Sequence, residues 1–133
     1  MTYTEDYLDG MSQICQAIQP EQIENIVEGL IRCRQQSGRI FCIGVGGGTT
    51  HVSANIVNGV SYAKSLRAKI YGIVGMDGGY TKKFGDEVIV IPTIYNHLIT
   101  AYTESMQMVI LHAIVFHPKL IVNEGKWESI NEH

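Results

Sequence analysis

Arg39-Ile40-Phe41-Cys42-Ile43-Gly44-Val45-Gly46-Gly47-Gly48-Thr49-Thr50 is the stretch that decides the fold. Its first five residues are a short apolar run rich in strand formers, and the run leads straight into glycines. A buried strand that ends in glycines and opens a helix is a usual place for an anion-binding turn. Glycine permits positive φ and lets backbone N–H groups approach a ligand closely. Thr49 or Thr50 caps the following helix and adds a hydroxyl. Gly46, Gly47, Gly48, Thr49 and Thr50 together read as a cradle for a phosphate dianion. The same residues also suit a tight strand-to-helix turn with no ligand. The order G-V-G-G-G-T puts Thr49 where a dinucleotide fingerprint needs glycine, and no acidic residue closes a plausible second strand. No Gly-Lys-Ser/Thr follows, so it is not a Walker loop.

Downstream, a helix is predicted to about Leu66, with Val52, Ile56, Val57, Val60 and Ala63 inward. Lys69-Ile70-Tyr71-Gly72-Ile73-Val74 reads as a second buried strand, ending in the turn Gly75-Met76-Asp77-Gly78-Gly79. A polar stretch from Tyr80 to Asp86 precedes a third strand, Val88-Ile89-Val90-Ile91, which Pro92 stops. Residues 93–100 read as a loop. A last helix runs from Thr103 to Phe116, ahead of Pro118. Upstream, Tyr7, Leu8, Met11, Ile14, Cys15 and Ile18 form the stripe of a helix over residues 3–18. A second helix starts at Pro20. Its stripe is Ile23, Ile26, Val27, Leu30, Ile31 and Cys33, with Arg32 and Arg34 near its end and Gly38 as its stop.

The order α-α-β-α-β-(turn)-β-α predicts an α/β fold: a small parallel sheet covered on both faces, in three α-β-α layers behind an N-terminal helical pair. One domain is expected, with N-terminal helices over 1–37, an α/β core over 38–118 and a tail over 119–133. Three strands leave two edges and much apolar helix surface uncovered. A homodimer or homotetramer built through the N-terminal helices is therefore expected.

The chain has 133 residues, 45% of them hydrophobic and 17% charged, which suits one globular domain. The net charge of -3, with ten scattered Lys and Arg, offers no basic stripe, so no nucleic-acid partner is expected. Cys15, Cys33 and Cys42 are odd in number and lack metal-ligand spacing; they are expected to be reduced and semi-buried. The acidic start MTYTEDYLDG lacks the apolar core of a signal peptide. The apolar run within Met106–Phe116 carries His112 and is shorter than a bilayer span. No membrane partner is expected, and the expected location is cytoplasmic.

Other candidate site residues lie further on. Asp77 stands at a strand's carboxyl end, the edge where open α/β sheets bind ligands. It suits either a sugar hydroxyl or a side-chain-to-backbone turn bond. His51, just after the glycine loop, is placed to meet a bound phosphate. Glu104, Gln107 and His112 share the last helix. A Glu and a His can move the proton of an aldose–ketose isomerisation, because both can be tuned near neutral pH. Eight residues separate Glu104 from His112, about 12 Å along a helix, so they can flank a ligand but not easily touch. Spacing alone also fits His112 as a packed core residue. A divalent metal such as zinc could use Glu104 and His112, although no close ligand pair is present. His97 and His117 carry no assignment.

Gly38-Arg39-Ile40-Phe41-Cys42-Ile43-Gly44-Val45-Gly46-Gly47 resembles the first strand and loop of sugar-isomerase (SIS) domain proteins, in particular the phosphoheptose isomerase group. Ala68 to Tyr80 resembles that group's later strand and D-G-G turn, Val88 to Pro92 the strand that follows, and Thr103 to His112 the closing helix. The resemblance implies isomerisation of sedoheptulose 7-phosphate to a heptose 7-phosphate, in a tetramer with sites between subunits. It implies that His112 is the acid/base, that Glu104 assists, and that Gly46 to Thr50 hold phosphate. The chain departs from the family in the middle. One helix replaces two strand-loop units, and the family's His-x-x-x-Glu positions are Ala54 and Asn58. Val45 to His51 also reads as the family's second phosphate loop. The sequence thus implies either a sugar-phosphate isomerase or a non-catalytic phosphosugar-binding module. A purely structural oligomerisation domain is the third class.

Overall fold

In the computed structural model, residues 1–44, 53–123, 125 and 127 are described. The chain opens with two helices, α1 (Tyr3–Ala17) and α2 (Pro20–Gln35). Thr2 caps α1: its Oγ1 accepts from the Glu5 amide at 3.3 Å while Glu5 Oε2 accepts from the Thr2 amide at 2.7 Å. Pro20 occupies the first turn of α2, where its missing N–H costs nothing. The left-handed residue ending α2 is Ser37 (φ 52°) rather than the expected Gly38, whose amide donates to Cys33 O at 2.8 Å to close the Schellman pattern.

Then follow α3 (Ala54–Ser65), strand β1 (Tyr71–Val74), the short α4 (Gly79–Phe84), strand β2 (Glu87–Val90), a 3₁₀ turn (Asn96–Leu98) and α5 (Ile99–Val115). The strands pair in parallel, with Tyr71 opposite Glu87 and Val74 opposite Val90. The chain is thus mixed α/β. Two elements were not foreseen as such. The polar stretch after Asp77 is helical, and α5 begins four residues before the expected Thr103.

The expected first strand, Arg39 to Ile43, forms no strand, with Ile40 62%, Phe41 79% and Ile43 55% exposed. Hydrogen bonding explains why. Ile70 O accepts from Asp86 N and Val74 O from Ile91 N, both at 2.7 Å, so peptide groups of 70, 72 and 74 face β2. Those of Tyr71 and Ile73 face outward, where a third strand would pair. Gln107 of α5 already fills that place, its Nε2 donating to Ile73 O at 2.8 Å. On the opposite edge Gln22 of α2 does the same, donating to Val88 O at 3.1 Å and to Glu87 Oε1 at 3.0 Å. Ile43 instead lies against α3, where a Cβ on Gly59 would fall 2.6 Å from its Cδ1.

Two apolar clusters hold these elements. The larger joins Ile14, Ile26 and Val27 of the first two helices to Ile89, Ile91 and the inward stripe Tyr102, Met106, Ile110 and Ile114 of α5. The stripes of α1 and α2 thus pack into the chain's own core. Gly10 lets the Tyr102 ring close onto α1, and its hydroxyl donates to Tyr7 O at 3.1 Å. The smaller cluster joins Ile56, Val60 and Ile70 to Tyr80 and Phe84. The expected tail begins pinned to α2. Arg34 donates to Lys119 O (2.9 Å) and Leu120 O (3.1 Å), Lys119 pairs with Glu28 (2.6 Å), and His117 meets Glu24 (3.2 Å). Cys15 and Cys42 are free and exposed rather than semi-buried, and Cys33 is half-buried. Among the described residues, one helical stretch, Asn96–Val115, is long and apolar enough to cross a membrane by length and composition. It is longer than the apolar run read from the sequence, because the 3₁₀ turn and the first turn of α5 extend it.

Replacing Gln107 with Leu leaves a part-buried carbonyl without its donor. It is expected to cost about 1–3 kcal/mol, read as a lower urea midpoint with unchanged slope. Asp86 accepts from the Ile70 amide at 2.8 Å and from Lys69 at 3.0 Å. The backbone bond is the main cause that holds its carboxyl below the usual range, with Lys69 adding to it. That support is complete above the unfolded carboxyl's pKa of about 4 and fades as pH falls through the lower folded value. Asp86→Asn should therefore cost about 1 kcal/mol at neutral pH, and its deficit should close in acid denaturation profiles below about pH 4.

Candidate functional site

Gly46, Gly47, Gly48, Thr49, Thr50 and His51 lie outside the described residues, as do Val45 and Val52. The chain enters that loop at Gly44 and leaves it at Ser53, the residue before α3. The direction of α3 fixes where the loop's exit lies. Ser61 Oγ meets Tyr80 OH at 2.8 Å, and Lys64 Nζ sits 3.9 Å from the centre of the Phe84 ring. Positions 61 and 64 thus advance along α3 as 80 and 84 advance along α4, so the two helices run in parallel. Because α4 starts just past the carboxyl end of β1, α3 starts on that side of the sheet too.

The second turn is at the same edge. Gly78 takes φ +79° and Gly79 φ +48°, and Met76, at φ +54°, is a non-glycine in the same left-handed region. Asp77 Oδ1 accepts from the Gly79 amide at 3.0 Å, the side-chain-to-backbone turn bond that was one of its two expected roles. That bond sets the turn.

Helix α5 supplies the third wall. A Cβ on Gly75 would fall 2.5 Å from Thr103 Oγ1, and Gln107 bonds Ile73 O, so α5 descends antiparallel to β1. Glu104 follows Thr103 and is exposed at the carboxyl edge. His112 is eight residues further along, about 12 Å toward the strands' amino ends. It is also exposed, with its ring edge-on to Phe116 at 6.1 Å. It is therefore not a packed core histidine. The protomer brings Asp77 and Glu104 to one edge and places His112 apart from both.

Gln107 was noted in the sequence only as a polar neighbour of the candidate pair. Its structural duty at the sheet edge follows from the absence of a third strand among the described residues, and periodicity carried no signal for it. A polar cleft of about 390 Å³ lies at the opposite, amino end, lined by Asn25, Glu28, Arg32, Lys69, Asp86 and Glu87 among others. Its groups bond one another: Lys69 pairs with Asp86, and Asn25 donates to Glu87 (2.9 Å). Among the described residues, no group of three or more His, Cys, Asp or Glu side chains could hold a metal ion.

Comparison with known proteins finds no matching family model, no matching curated protein and no matching solved structure.

The Gly78 turn is tightly enclosed, since a Cβ there would meet Lys82 Cβ at 2.7 Å and Val90 Cγ2 at 3.0 Å. Gly78→Ala adds that crowding to a left-handed backbone. It is expected to cost about 1–3 kcal/mol, seen as a lower midpoint in thermal denaturation.

Proposed function

We propose that the chain binds a sugar phosphate at the carboxyl edge of its sheet, as a phosphoheptose-isomerase-like protein of the SIS type. The observation that supports this reading most is convergence. The exit of the glycine loop at Ser53, the Asp77-Gly78-Gly79 turn and the Thr103–Gln107 turn of α5 all lie at one edge. In an α/β sheet that edge is where ligands bind. On this reading the loop from Gly46 to Thr50 takes the phosphate, with His51 beside it, and Asp77 meets a sugar hydroxyl. Glu104 and His112 carry the proton between adjacent carbons. The finer fold is the three-layer SIS arrangement in an oligomer, and the location is the cytoplasm. The ligand needs no nucleic acid or membrane.

The second reading is a non-catalytic phosphosugar-binding or regulatory module. Two observations favour it: α3 presents Ala54 and Asn58 where the family has His and Glu, and one protomer holds His112 away from Glu104. Both readings share the phosphosugar site and differ only in turnover.

A thermal melt with sedoheptulose 7-phosphate, the unphosphorylated sugar and inorganic phosphate in parallel tests the site. At a hundred times its Kd the ligand adds about 2.7 kcal/mol, and a rise is expected with the sugar phosphate. Gly47→Asp is expected to abolish that rise while leaving the unliganded melt unchanged. Equal sugar-phosphate affinity in wild type and variant would remove the glycine loop from the site. Turnover of the same sugar, lost in His112→Ala, separates the enzyme from the module.

A further inference from the structure

Four aromatic rings and one carboxylate line a small cavity between the start of α1 and the 3₁₀ turn: Tyr3, Asp6, Tyr7, Tyr95 and His97, beside Leu98. Spacing brings the α1 members together. Tyr7 follows Tyr3 by four residues and Asp6 follows it by three, so all three share one side of the helix. The buried Tyr102 fixes the other wall. Its ring lies 5.0 Å from that of Tyr7 and 6.5 Å from that of Tyr95, and its hydroxyl donates to Tyr7 O. Gly10 lets Tyr95 approach α1, since a Cβ there would fall 3.2 Å from Tyr95 Cε2. Tyr3 stands 6.2 Å from Tyr7, and His97 stands 5.9 Å from Tyr95.

These rings are tilted by 35–40° to one another rather than stacked flat, so their π faces are not all covered by each other. Tyr3 is 66% exposed, which burial of core surface does not explain. The cavity measures about 180 Å³. That is below the roughly 300–1,000 Å³ of a pocket for a drug-sized ligand and suits a single head group. Aromatic faces attract a cation. Asp6 adds a full negative charge, and no Lys or Arg lines the cavity among the described residues. The ion pairs among those residues join other groups and leave Asp6 without a cation. A calcium or magnesium ion needs several oxygen ligands, and a primary ammonium has three N–H groups to satisfy. One carboxylate among rings meets neither need. A fully methylated ammonium has no N–H to satisfy and presents its charge through an apolar surface.

We propose that this cage binds a small quaternary ammonium cation of the choline type, with the ring faces around its methyl groups and Asp6 as the counter-charge. A peptide partner is disfavoured. Peptides commonly add to an open sheet edge, and here Gln22 and Gln107 occupy the two edges of the ladder. The cage stands apart from the phosphosugar reading, which gives none of its lining residues a role.

A proton NMR titration of the full chain with choline, and with its neutral isostere 3,3-dimethylbutan-1-ol, tests the cage. Ring currents are expected to move the choline N-methyl resonance upfield on binding. Choline is expected to bind about tenfold tighter than the isostere. Asp6→Asn keeps the side-chain shape and removes the charge. It is expected to weaken choline about threefold or more and to leave the isostere unchanged, a difference that a merely structural role would not produce. Tyr3→Ala removes an exposed wall without touching the cap between Thr2 and Glu5. It is expected to weaken choline about threefold with the thermal melt unchanged. No N-methyl shift with the wild type, an isostere bound as tightly as choline, or full choline affinity in both variants would each overturn the proposal. A trimethyllysine peptide bound more than about tenfold tighter than choline would also overturn it, and would put a methylated protein in the cage instead.

Discussion

A parallel ladder of two strands satisfies only the peptide groups that face each other. Every alternate carbonyl and amide on the outer sides must find another partner or stay in water. Here two glutamines stand where further strands would be: Gln107 on Ile73 O and Gln22 on Val88 O. Much of the arrangement depends on this constraint. It locks α5 antiparallel to β1 and ties α2 to β2, so the helices are fixed by polar bonds as well as by apolar packing. It also keeps Arg39 to Ile43 out of the sheet, since the place this segment would take on β1 is already filled.

The parts of the fold legible in the sequence are those with a strong local period. The three-and-four spacing from Tyr7 to Ile18 and from Ile23 to Cys33 marks α1 and α2, and Pro20 divides them. Ile70 to Val74 and Val88 to Ile91 are short runs of strand formers, each stopped by a glycine or proline. Arg39 to Ile43 has the same composition and yet does not pair, because composition states a preference while pairing needs a free edge. The early start of α5 was hidden for a similar reason. Ile99 to Tyr102 extends the apolar face only once Tyr102 is known to pack against Tyr7 (ring centroids 5.0 Å apart). Leu8 fits the stripe of α1 by spacing but is exposed, and Cys15, also largely exposed, reaches the core only through its sulfur against Met106.

The candidate site was legible as a list of residue types and as one spacing. The spacing between Glu104 and His112 already said that they could not touch on one helix. The sequence could not say which way α5 runs past the sheet, and that direction decides which end each takes: Glu104 the carboxyl edge, His112 the side of the strands' amino ends. The role of Asp77 was open between a ligand contact and a turn bond, and its contact with the Gly79 amide gives the turn. Direction and edge occupancy are tertiary facts, produced by bonds between residues tens of positions apart.

The larger apolar cluster also has a consequence for how the chain reaches its folded state. Its two halves are far apart in sequence: Cys15 touches Met106 across 91 positions, and Arg34 holds Leu120 across 86. During synthesis α1 and α2 emerge first, with Ile14 and Val27 facing water. Their partners Ile89 and Ile91 of β2 leave the ribosome much later, and the stripe of α5 last. Closing so long a loop is slow, and the waiting stripes are open to wrong partners meanwhile. The glutamines that seal the sheet edges arrive on opposite sides of that wait, Gln22 early and Gln107 late. The growing chain therefore carries one bare strand edge until its last helix docks.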